Sequence, residues 1–164
     1  MLERSLEVLT FIAAVGCGLV AGVFFAFSSF VMPALGRIPA PSGISAMQSI
    51  NVVVINPSFM TAFMGTGALC LALLAGAWMW WGDLSGKLVL AGCLIYLVAC
   101  IGVTMVFNVP LNDALTAVQA DTAEAASLWS RYLREWTAWN HVRTVAPVLS
   151  LVLFVLALIR RAVA

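Results

Sequence analysis

The sequence predicts an all-α membrane protein: a four-helix transmembrane bundle with short helical segments in two large loops on the same side. Composition is the first observation behind this. Of 164 residues, 63% are hydrophobic and 9% charged, whereas soluble domains run at roughly 45–50% apolar and about 25% charged. The second is four apolar runs long enough to cross the hydrocarbon core as helices. The third is that these runs are unbroken, unlike the weak alternation of a membrane barrel. A net charge of +1 removes any large electrostatic argument about partners and excludes a basic nucleic-acid binder. The chain reads as one membrane domain.

The first span is expected from about Leu6 to Met32, stopping at Pro33. Its length argues for a retained helix and against a signal peptide. Gly18 and Gly22 give it a small-xxx-small packing face. The second span runs from Pro57 to Trp80, with Asn56 as N-cap and Pro57 at the first helical position. A short turn at Gly82 makes it a hairpin with the third span, Lys87 to Val109. Trp78, Trp80 and Trp81 form an interfacial belt at that end. The fourth span runs from Trp139 to Ile159.

The segments 33–56 and 110–138 fall on the opposite side from the termini. The first is Pro/Gly-rich to Gly43 and then helical, with Ile44, Met47, Asn51 and Val54 at helical spacing. The second contains an amphipathic helix marked by Trp129, Tyr132, Leu133 and Trp136, leading into span four. Lys and Arg divide four against four between the two sides, with Arg143 inside an apolar run. The Arg160-Arg161 pair that ends a span places both termini in the cytoplasm, in a bacterial inner membrane. Cys17, Cys70, Cys93 and Cys100 lie in apolar stretches without CxxC spacing, and read as isolated thiols packing like small apolar side chains.

Polar residues inside spans carry the functional expectation. They gather toward the large-loop side, where the ends of spans one and three meet the start of span four. A polar pocket walled by aromatics follows. Its catalytic candidates are His141, Asn140, Arg143, Asn108 and Asn112. Its binding candidates are Phe24, Phe27, Phe30, Asn51, Trp136 and Trp139. His141 is the sole histidine, able to act as a base or as one axial ligand. A buried Arg143 needs a carboxylate or a polar ligand, and Asp113 and Glu135 are the nearest carboxylates by depth. Pro110 and Pro147 are expected to kink or end their helices. No metal site is expected.

Several stretches resemble the anthrone oxygenase family. They are Gly22 to Ser28 with Pro33-Ala34-Leu35, Ala46 to Asn51, Asn56-Pro57, Asn108 to Asn112, and Trp136 to Thr144. The resemblance implies oxidation of an anthrone-like phenol to a quinone by dioxygen, without an organic cofactor. The matching chemistry gives His141 the role of base, the asparagines that of oxyanion donors and Arg143 that of a positive charge. On this view His141→Ala cuts turnover about 10²–10⁴-fold. The implied partners are a small aromatic substrate, dioxygen and the lipid bilayer, with no nucleic acid; a homo-oligomer is compatible. Two alternatives stand beside it: a haem protein with His141 as axial ligand, and a non-enzymatic membrane binding protein.

Overall fold

The computed structural model describes residues 2–76, 80 and 82–163. It is helical throughout, without strands among the described residues. Four helical runs are long and apolar enough to cross a membrane: Glu3–Leu35, Pro57–Gly76, Leu84–Thr116 and Ala123–Ala162. We label the regular segments α1 (Leu2–Ala26), α2 (Met32–Leu35), α3 (Ala40–Val53), α4 (Pro57–Gly76), α5 (Leu84–Ile95), α6 (Val109–Thr116) and α7 (Ala123–Ala162). Large apolar side chains such as Phe11, Leu19, Leu71 and Val98 are exposed on the outside, as a lipid-facing surface requires.

Span one does not stop at Pro33. The chain widens into a π-helical turn, Phe27–Val31, and resumes as α2 with the proline in its first turn. Span three does the same before Pro110, through π-helical Tyr96–Gly102 and Thr104–Asn108. Proline has no N–H and its ring clashes with the carbonyl four residues back. In both places the residue before the proline donates five residues back: Met32 to Phe27 and Val109 to Thr104. A wider turn therefore absorbs the proline that was expected to end the helix. Pro147 is carried inside α7 without ending it.

The helix after span one also starts earlier than expected. Pro39 and Pro41 sit at its cap and first turn, where a missing N–H costs nothing. Asn56 caps α4, its Oδ1 accepting the Phe59 N–H at 3.0 Å. Thr122 caps α7, accepting from the Ala125 N–H at 3.2 Å. The amphipathic segment and the fourth span are one 40-residue helix, about 60 Å long at 1.5 Å per residue.

Two apolar cores result. The bundle core joins spans one to four and holds all four cysteines together, so the thiols are packed as small apolar groups but not apart from one another. The second core lies in the cap, where Met32, Ile44, Met47, Leu111, Leu115, Trp129, Tyr132 and Trp136 meet. Gln48 ties α3 to the end of α6, its Nε2 donating to the Leu115 and Val118 carbonyls at 2.8 and 3.0 Å. The Leu115 carbonyl is one of the orphan acceptors of a helix terminus, and Val118 lies just beyond it.

The close helix contacts are made by other glycines than those expected. A Cβ at Gly22 would meet nothing and one at Gly18 only Leu151 at 3.8 Å, whereas Gly16 lies against Thr66 and Gly92 against the Phe154 ring. At the opposite end, Trp78 and Trp81 of the expected belt lie outside the described residues. Trp80 is buried, with the Arg161 guanidinium 4.3 Å from its ring. Arg161 also pairs with Glu7, Glu3 and Asp83 at 3.0, 3.4 and 3.7 Å, joining the two terminal helices to the α4–α5 hairpin.

Candidate functional site

A cavity of about 240 Å³ lies where the bundle core gives way to the cap. Phe24 and Phe27 reach it from span one, Phe59 and Phe63 from α4, Thr104 and Met105 from span three, and Trp136 and Arg143 from α7. Met47, Ile50 and Asn51 of α3 and Asn112 of α6 close it on the cap side. Its wall is mainly aromatic and aliphatic, with a few polar groups converging on it. This is the usual make-up of a small-molecule site.

The aromatic walls come from helical spacing. Phe59 and Phe63 are one turn apart and stack at 5.7 Å, and Phe24 meets both edge-on at 6.2 and 6.0 Å. Phe27 tilts against Trp136 at 5.7 Å. Trp129, Tyr132 and Trp136 stack along α7, their centroids 5.6 and 5.7 Å apart. Asn112 fixes the last two rings, its Oδ1 accepting from the Tyr132 hydroxyl and the Trp136 indole N–H, both at 2.8 Å.

Arg143 is the centre of the polar side. It is 4% exposed, and its guanidinium lies 4.4 Å from the Phe24 ring and 4.8 Å from that of Trp136. Its Nη2 donates to Asn140 Oδ1 at 2.8 Å and its Nη1 to Thr104 Oγ1 at 3.4 Å. Its Nε has no partner among the described residues. Among the described residues no carboxylate pairs with it. Both carboxylates expected to do so are elsewhere: Asp113 is exposed, and Glu135 pairs with Arg131 at 2.9 Å on the outer face of α7. A buried cation costs several kcal/mol unless paired. Two ring faces offset part of this, at about 0.5–2 kcal/mol each. The remainder marks a place for an acceptor.

Asn140 holds that guanidinium in place. It is fully buried, and its Nδ2 donates to the Phe24 carbonyl and to Ser28 Oγ, both at 2.8 Å. Ser28 in turn meets Thr144 Oγ1 at 3.1 Å and His141 Nδ1 at 2.9 Å. Ser28 lies in the first π-helical turn. Asn108 is fully buried, donating to the Trp136 carbonyl at 3.1 Å while its Oδ1 lacks a partner.

The cavity thus brings together Phe24, Phe27, Asn51, Asn112, Trp136 and Arg143 from the expected set. Asn140 and Asn108 stand directly behind it. His141 does not line it: the ring is on the exposed face of α7, reached only through Ser28 and Asn140. Phe30 is 60% exposed, and Trp139 stacks on Phe107 at 3.7 Å, away from the cavity. Thr104, Phe59 and Phe63 escaped the sequence reading, and Ser28 and Met47 entered it without a place in the site. For the two phenylalanines a signal existed, since their i, i+4 spacing puts both on one face of α4. Thr104 gave none, because its place at the cavity depends on a wide turn. No group of three or more His, Cys, Asp or Glu among the described residues is placed to hold a metal ion.

The anthrone oxygenase profile matches residues 59–153, which is more than half of the chain. The chain belongs to the anthrone oxygenase family. The match takes in the α4 wall, the third span, Asn108, Asn112, Trp136, Asn140 and Arg143. No curated protein and no solved structure matches significantly. With four apolar helices, this member of the family is an oxygenase-like membrane protein.

Proposed function

We propose that the protein oxidises an anthrone-like phenolic compound to its quinone with dioxygen, holding the substrate as an oxyanion against Arg143. The observation that carries this is a buried guanidinium on the wall of an aromatic cavity, with no carboxylate beside it among the described residues. Anthrones have an acidic ring CH2 across the central ring from the carbonyl, conjugated with it through the flanking arene rings. Fixed positive charge at that oxygen favours the enolate, whose proton passes to water on the cap side of the cavity, at the headgroup level. The electron-rich enolate gives one electron to dioxygen, and the radical pair joins to form a carbon–oxygen bond. The peroxide regains a proton from water, then breaks its O–O bond and loses water to leave the second carbonyl. Arg143 stabilises the charge, Asn112 and Asn51 face the substrate, and the stacked rings fix its plane. Asn140 and Ser28 are positioning residues, acting through Arg143.

In this reading the substrate itself reduces dioxygen, so no organic cofactor is called for. An absorption spectrum and metal analysis of the purified protein test that point; a Soret band lost in His141→Ala would establish the haem protein instead. The deciding assay is oxygen uptake with anthrone in reconstituted vesicles. The absence of anthrone-dependent uptake in the wild type, with bound anthrone detected, would leave a membrane binding protein. Both termini face the cytoplasm in this reading. Arg143 is buried in the site, so four basic residues flank the terminal side and three the cap side. Reporter fusions at each end test the orientation.

A further inference from the structure

The cavity is not closed all round, and its mouth has a direction. Met64 of α4 and Met105 of the π-helical turn Thr104–Asn108 line the cavity, yet are 40% and 53% exposed. A side chain that is on both the cavity wall and the outer surface marks an opening. The helices account for the gap. Within the described residues, α4 packs against α1, α5 and Tyr96–Gly102, but not closely against Thr104–Asn108 or α6. The upper half of α4 therefore stands apart from the upper half of span three. Ile55, which also lines the cavity, is 72% exposed at the top of the same gap.

The gap faces oil. No Asp, Glu, Lys or Arg occurs from Ile38 to Gly82 or from Leu88 to Asn112, the two stretches that form its sides. Val52, Val53 and Val106 beside it are exposed and apolar. Depth agrees with this. Met64 is seven residues into α4, about 10 Å below its start at 1.5 Å per residue. Arg143 precedes the end of α7 by 19 residues, about 29 Å on the same scale. That is close to the hydrocarbon thickness of about 30 Å. The mouth thus lies inside the hydrocarbon edge, with the cation at the headgroup boundary.

We infer that the cavity opens sideways into the bilayer between α4 and the Thr104–Asn108 turn, and that it takes aromatic compounds dissolved in the membrane. This rests on the cavity being the substrate site. A flat phenol with its oxygen at the headgroup level and its rings in the acyl region enters ring-first past Met64 and Met105. Its oxygen then arrives beside Arg143.

The test uses nitroxide labels on Met64→Cys and Met105→Cys in phosphatidylcholine–phosphatidylglycerol vesicles; the native thiols are fully buried. Leu71→Cys, on the exposed face of α4, is the lipid control, and Gln119→Cys, in the cap loop, is the water control. Labels at 64 and 105 should collide with dioxygen as readily as the Leu71 label and be shielded from a water-soluble nickel chelate. Exposure to nickel equal to that at Gln119 would overturn the lipid-side entrance. Anthracene, a tricycle without the reactive oxygen, should slow both labels and leave the one at Leu71 unchanged. Unchanged motion at 64 and 105 would overturn the mouth. Neither readout depends on turnover, so failure of the oxidation reading is scored separately.

Discussion

A guanidinium has five N–H donors in a fixed plane, and protein acceptors occupy only part of that fork in Arg143. Replacing it with Gln removes the charge while keeping an amide donor. Loss of one preorganised donor to a developing oxyanion typically costs about 10²–10³ in rate, and Arg143→Gln should show a loss of this size in oxygen uptake. Arg143→Lys should not restore it, because an ammonium can neither stack flat between Phe24 and Trp136 nor reach Asn140 with the same fork. Asn140→Ala leaves the buried cation with one partner fewer and frees the Phe24 carbonyl. It should lower stability by about 1–3 kcal/mol, seen as a lower melting temperature in detergent. His141 is the instructive case. Its sequence context suggested a base, but an exposed ring bonded to Ser28 has no line to a substrate. His141→Ala should therefore cost less than tenfold in turnover, and a loss of 10²-fold or more would return the residue to the site. Sequence order put His141, Asn140 and Arg143 within one turn of a single helix, as α7 has them. It did not give their direction: consecutive residues on a helix point about 100° apart.

At the scale of elements, hydropathy sufficed to find four crossings, and Asn56-Pro57 sufficed to start one of them. What it missed was how a proline is accommodated. Pro33 and Pro110 read as stops, while π-helical turns carry both helices onward into the cap. Hydropathy cannot see such turns, since they change the ladder and not the composition. Glycine spacing misled in a similar way. Gly18 and Gly22 fit a packing pattern, but the pattern says nothing of where the neighbouring helix is. Gly92 is the tested contact: a Cβ there would meet the Phe154 ring at 2.6 Å. Gly92→Ala should destabilise by about 1–3 kcal/mol through overpacking. Gly22→Ala, with nothing within 4 Å, should be neutral or slightly stabilising. Thermal melts of the two variants side by side check both.

Over the whole molecule, the two ends of the bundle have separate work. The cap end holds the cavity; the terminal end is tied by Arg161 to Glu3, Glu7, Asp83 and Trp80. Arg161→Ala should cost about 1 kcal/mol, the scale of partly exposed pairs and one cation–π contact, and leave turnover unchanged. An equal loss of activity would mean that the ends are coupled. The bundle and its loop-side cap were legible from composition, since few polar residues inside spans made their gathering visible. The missing counter-ion was not legible, because a carboxylate near in sequence can still point outward, as Glu135 does. The first π-helical turn has a consequence for descent within the family. Such a turn is a regular helix with one surplus residue, taken up by widening so that the helix on either side keeps its phase. Losing one residue from Phe27–Val31 would tighten the turn, return the Pro33 ring to its clash with the carbonyl four residues back, and shift Ser28 from Asn140. Relatives with a one-residue deletion there should have lost the proline as well, or kink where this chain runs on into the cap.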